Sequence, residues 1–210
     1  MTDDDSLYVY GVIENEDLDL EIEGVNGADH AYTVDYQSLS AVVSDIDTVE
    51  PERSDENVKN HDEVLQTVLE YDGGRTIVPM SFGMGFKDKR TLKNLLRNAR
   101  PVFTRTLREI DGMVELGLKV LTEDDASFDR EGVVADVEGR FDPISVNMVE
   151  NELFSDRLVI NRSYLVERAD REAFNEAVSE FEDTHEELLV QYTGPWAPYN
   201  FVDIEISAQR

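Results

Sequence analysis

The sequence predicts a protein of two domains, each combining β-strands with amphipathic helices, and three observations carry that expectation. Stretches rich in β-branched and aromatic residues take turns along the chain with stretches whose apolar residues recur at helical spacing. A length of 210 residues is enough for two domains that each bury a core. Gly112 then marks a break near the middle, separating an expected first domain, residues 1–112, from a second, residues 113–210.

Residues 7–13, Leu-Tyr-Val-Tyr-Gly-Val-Ile, read as a central strand. An acidic stretch over 14–23 ends it, Gly24 and Gly27 mark a loop, and further strands are expected at 31–36 and 39–45. After Pro51, the residues Val58, His61, Val64, Leu65, Val68 and Leu69 fall on one helical face, with Asp55 or Asn57 as cap. Asp72-Gly73-Gly74 ends that helix. The least polar stretch follows at 76–86. There Thr76, Ile77 and Val78 suit a short buried strand, and Pro79 belongs at its end or edge. Met80, Phe82, Met84 and Phe86 alternate with small residues and so offer four large groups to one surface. From Leu92 to Ile110 helical period returns, and Pro101 predicts a kink or two abutting helices.

Beyond Gly112, residues 113–121 alternate as a strand, 144–154 suggest a short helix and 157–166 a further strand. Asp170 is expected to cap a helix running through Phe174, Val178 and Phe181 to about His185. Residues 188–192 and 201–206 read as closing strands, joined by a loop that Pro195 and Pro198 stiffen. The rings of Trp196 and Tyr199 are expected to pack inward. Residues 124–142 are acidic and carry no clear pattern.

The 47 acidic against 19 basic residues give a formal charge of -28, which repels phosphates and anionic membranes. Nucleic acid and membrane are therefore not expected partners. The acids are spread over nearly every segment, as in adaptation to a salt-rich cytoplasm. Molar salt shortens the Debye length to about 3 Å and screens the self-repulsion. Without cysteine there is no disulfide framework and no thiol chemistry. No apolar run approaches the ~20 residues that span a bilayer, and the chain opens on acids, so a cytoplasmic location is expected. His30, His61 and His185 are isolated, and consecutive His61-Asp62-Glu63 diverge by about 100° per residue on a helix. Gly83-Met84-Gly85 lacks the rest of a nucleotide fingerprint. No catalytic residue, metal or cofactor is expected.

One segment reverses the charge: residues 87–108 hold eight basic residues against one acid, Asp88. Together with the apolar stretch before it, this nominates Phe82, Met84, Phe86, Lys89, Lys93 and Arg97 as a partner-binding surface. The competing expectation is that the apolar groups complete the core and that the basic face pairs with acids of the same chain.

Three stretches combine into a resemblance: Leu7-Tyr-Val-Tyr-Gly-Val12, Val78-Pro-Met-Ser-Phe-Gly83 and Gly194-Pro-Trp-Ala-Pro-Tyr-Asn-Phe201. In order and separation they resemble the gas vesicle protein F/L family, whose members often carry Arg at the place of Ser81 and Pro at that of Ala197. Residues 39–44, 115–120 and 161–166 extend the likeness over most of the chain, which is most similar to a haloarchaeal F-type. The resemblance implies two α+β domains, the first a modified ferredoxin-like fold, the second a mixed sheet with helices. It also implies a non-enzymatic accessory protein that binds the small, very apolar shell subunit during vesicle assembly, alongside other accessory proteins. The L-type, a scaffold that gathers accessory proteins, is the alternative.

Overall fold

The computed structural model describes residues 6–122 and 128–202. The chain forms two compact α+β units, one of residues 6–111 with Val202, the other Gly112–Phe201.

The first unit is built on β1 (Ser6–Glu14), whose residues from Leu7 to Ile13 are all buried. Continuous burial means that both faces of the strand are covered. On one side β1 pairs antiparallel with β4 (Leu39–Ile46), followed by β3 (His30–Tyr36) and β2 (Asp19–Glu21). On its other side β1 receives both β5 (Val78–Pro79) and β6 (Gly85–Phe86). Side chains alternate across the sheet. Leu7, Val9, Ala41 and Val43 share a core with Leu92, Leu96, Phe103 and Leu107 of helix α2 (Lys89–Glu109). Tyr8 and Tyr10 point the other way, toward His61 of helix α1 (Asp55–Glu70). A helix on each face modifies the ferredoxin-like pattern and explains why 7–13 shows no polar alternation.

In the second unit β7 (Met113–Thr122) lies between β10 (Leu188–Trp196) and β9 (Leu158–Glu167), with β8 (Asn147–Glu150) beyond β9. The mixed sheet implied by the resemblance is corrected to an antiparallel one, for every described pairing is antiparallel. Helices α3 (Arg130–Phe141) and α4 (Arg171–Thr184) cover one face. Phe141 and Phe174 meet at 4.9 Å between ring centroids, and both contact Tyr164 of β9.

Local expectations fare unevenly. Ser54, not Asp55 or Asn57, caps α1 by accepting from the Asn57 amide. Helix α2 passes through Pro101 unbroken because the proline sits on the exposed side, where the carbonyl it cannot bond reaches water. The helix expected over 144–154 is replaced by strand β8, whose pairing with β9 outweighs local preference. Strand β2 was illegible because two of its three residues are acidic, and α3 because its stretch is so charged. The closing strand expected at 201–206 begins instead with a short turn, Tyr199–Phe201, and residues 203–206 lie outside the described residues.

Candidate functional site

The apolar stretch and the basic helix meet at β6. Strand β5 ends at Pro79, and the Met80 amide then donates to the Tyr10 carbonyl at 2.8 Å. A turn at Phe82 and Gly83, the latter at φ +97°, reverses the alternation expected from the sequence. Met84 and Phe86 turn into the core beside Leu92 and Leu96, with exposures of 7 % and 3 %. This corrects their nomination as contact residues, because groups so buried offer no area to a partner. Phe82 is half-buried elsewhere. Its ring lies 5.9 Å from those of Tyr8 and His61, with the Arg53 guanidinium 5.5 Å from its centroid.

Behind Phe82 runs a buried polar chain. Gly83 N–H donates to the Tyr8 hydroxyl at 3.2 Å, and Tyr8 Oη lies 2.8 Å from His61 Nδ1. His61 Nε2 is 3.0 Å from the Met80 carbonyl, which only accepts. The neutral imidazole therefore carries its proton on Nε2, donating to the Met80 carbonyl, and accepts the Tyr8 hydrogen bond on Nδ1. Burial lowers the His61 pKa to about 4, against its hydrogen bond to Met80, and raises that of Tyr8. This arrangement fastens the β5 to β6 turn to α1; with His61 only 2 % exposed, it offers no reactive face.

Helix α2 begins at Asp88, whose carboxylate accepts from the Thr91 amide at 2.6 Å and is held below its ordinary pKa by that bond. Its first turn carries Lys89 and Arg90 and no acid, against the preference of a helix N-terminus for negative charge. Lys89, Lys93 and Arg97 stand four residues apart, a like-charge ladder that costs an isolated helix about 0.2–0.5 kcal/mol per pair. Lys89 is half-buried, its Nζ 5.2 Å from the Tyr32 ring centroid, while Lys93 and Arg97 are exposed. Arg105 reaches Glu109 at 3.7 Å. Arg90, Lys93, Arg97, Arg100 and Arg108 form no ion pair with the described acids of the first unit. Within that unit, the expected internal pairing of the basic face is not observed. Arg100, Pro101, Thr104 and Arg108 line a surface depression of about 400 Å³ on this helix.

The second unit holds what the sequence reading missed. Glu115 of β7 is buried, and its two oxygens accept from the backbone amide and the side-chain amide of Asn200. Asn200 also donates to Ser163 Oγ at 3.1 Å. This clamp and the buried Pro195, Ala197 and Pro198 fix the Gly-Pro-Trp loop. The rings of Trp196 and Tyr199, expected inside, are 36 % and 37 % exposed, because the prolines and the clamp already fill the inner side. A signal was present: residues 188–196 carry no charge in a chain that is 31 % charged.

Among the described residues no group of three acids or histidines is arranged to hold a metal, and no helix is long and apolar enough to cross a membrane. The model of the gas vesicle synthesis protein GvpL/GvpF family matches residues 6–132 and 122–203. Gas vesicle protein F of Haloferax mediterranei is 58 % identical over 98 % of this chain and 97 % of its own length. Gas vesicle protein F1 of Halobacterium salinarum is 54 % identical over the same shares. In fold, the crystal structure of GvpF from Anabaena sp. PCC7120 superposes with a TM-score of 0.83 at 16 % identity, over 96 % of this chain and 100 % of that one. The chain belongs to the GvpL/GvpF family of gas vesicle synthesis proteins.

Proposed function

We propose that this protein is an F-type accessory factor of gas vesicle formation, cytoplasmic and non-enzymatic, that binds the small apolar shell subunit and keeps it dispersed until incorporation. An apolar subunit awaiting assembly exposes an aggregation-prone surface, and a partner of charge -28 keeps a complex in solution. The observation that carries the reading is the exposed ladder of α2. Lys89 works against the helix dipole, Lys89, Lys93 and Arg97 repel one another, and no described acid of their own unit forms an ion pair with them. Such local conflict is expected where a surface is kept for a partner. In this reading Lys93 and Arg97, with Lys89 and the exposed part of Phe82 at the border, select acidic groups on the subunit. Met84 and Phe86 support the site from within.

Pairwise pull-downs in molar potassium chloride, with the shell subunit and with each other gas vesicle accessory protein, test the proposal. Capture of the shell subunit is the expected result. Capture of several accessory proteins without the subunit would instead make the chain an L-type scaffold.

A further inference from the structure

The charges of α2 are ordered as well as numerous. Arg90, Lys93, Arg97, Arg100 and Thr104 follow one another in steps of three, four, three and four residues. At about 100° per residue these five fall within about 80° of arc, on the flank of the helix beside the buried face of Leu92, Leu96, Phe103 and Leu107. All four cations are exposed, and the stripe runs for about 21 Å at 1.5 Å per residue. The one acid within α2, Glu109, lies on another side of the helix, where it meets Arg105 at 3.7 Å. Acids of the same unit mark the two ends of the stripe. Lys89 lies against Tyr32, whose hydroxyl donates to Asp45, and Arg108 shares a cleft of about 340 Å³ with Glu14, Glu16 and Asp111. Between Arg100 and Arg108 the short side chains of Pro101 and Thr104 leave the depression of about 400 Å³.

Charge and spacing together specify the occupant. Four exposed cations call for carboxylates, and molar salt screens attraction beyond about 3 Å, so selection falls to acids that meet the cations in contact. Along the stripe the cations stand alternately about 4.5 and 6.0 Å apart in axial rise, a rhythm that a second helix reproduces with acids at the same steps. An extended segment repeats evenly every ~6.6–6.8 Å on one face and loses register within three steps. Helices matched in a rhythm of threes and fours lie side by side at a small crossing angle. The acidic ladder of this chain's own α4, Glu172, Glu176 and Asp183, puts Ser179 opposite an arginine in either direction, which makes a second copy the poorer fit. We propose that the stripe from Arg90 to Thr104 docks an acidic helix of another protein, with carboxylates opposite Arg90, Lys93, Arg97 and Arg100 and a small apolar side chain in the depression at Pro101 and Thr104. That this helix belongs to the shell subunit rests on the proposed function; the preference of the stripe for helical spacing does not.

Fluorescence anisotropy with the full chain in molar potassium chloride tests the stripe. The probes are two labelled alanine-rich peptides of about 18 residues, long enough to form helix, and of identical composition. One carries glutamates in steps of three, four and three residues, and the other has the same glutamates spread around the helix. The first should bind about tenfold more tightly than the second; Arg100→Gln should remove about two- to fivefold of that affinity, as loss of one exposed ion pair does, and Arg100→Lys should keep most of it. Capture of the co-expressed shell subunit should fall with Arg100→Gln in parallel. If the two peptides bind alike, or neither binds, the stripe is overturned whatever the shell subunit does. If the peptides are told apart but parent and Arg100→Gln capture the shell subunit equally, the stripe stands and its occupant is another protein. If the parent captures no shell subunit, the proposed function fails while the peptides still decide the stripe. Self-association of the free chain that Arg100→Gln abolishes would make a second copy the occupant and overturn the proposal.

Discussion

His61 shows how one side chain sets a pH limit on the fold. The folded protein holds it neutral, with its pKa lowered from 6.5 to about 4, chiefly by burial. The unfolded chain therefore takes up the proton first as pH falls. The contribution is complete above about pH 6.5 and is lost as pH falls through the folded value, amounting to roughly 3 kcal/mol. Urea denaturation of the parent and of His61→Phe in molar potassium chloride should show the stability gap between them narrowing by about that amount from pH 7 to pH 4. A gap that stays constant would remove His61 as the source. Gly85 is a second such residue, since an added Cβ would run into the Val49 backbone carbonyl. Gly85→Ala should cost about 1–3 kcal/mol, as overpacking does, and a variant as stable as the parent would show that residues 48–50 yield. The sequence marked both residues without giving their reasons. His61 sat on the apolar face of a helix, and nothing local revealed that Tyr8, 53 positions earlier, would supply its partner.

At the scale of elements, β1, β4, α1, α2, β7, β9 and α4 were legible because period and composition agree with the pairing they enter. What was illegible depended on distant contacts. Strand β8 exists through β9, and Phe82 parts from Met84 and Phe86 because a turn interrupts an alternation that the sequence alone extends. The same limit misplaced Trp196: the prolines suggested a loop over 193–200, but residues 193–196 continue strand β10, and nothing local showed which side faces inward. Trp196→Ala should consequently cost less than the ~3–5 kcal/mol of removing a buried ring. Thermal melts check this, and a loss at the top of that range would return the ring to the core. For α2, replacing Arg90, Lys93 and Arg97 by Gln should leave the melting temperature nearly unchanged, since exposed charges contribute ~0–1 kcal/mol each and relief of like-charge repulsion opposes any loss. Unfolding of this variant would mean that the cations serve the fold.

For the whole molecule, the charge of -28 makes salt part of the structure. Self-repulsion is long-ranged in dilute buffer and confined to about 3 Å at molar salt, so circular dichroism should show native ellipticity and melting temperature rising along a potassium chloride series. Unchanged values in dilute buffer would contradict the halophilic reading. The same surface gives the proposed function its physical sense, because an acidic body disperses a bound apolar subunit while one basic helix provides contrast for recognition. The most direct measurement is the soluble fraction of the shell subunit, expressed at matched level and molar salt with the parent protein, with the Arg90, Lys93 and Arg97 to Gln variant, or with neither. The account predicts a subunit that is soluble and co-purifies with the parent, less so with the variant, and sediments alone. Equal sedimentation in all three cases would contradict it.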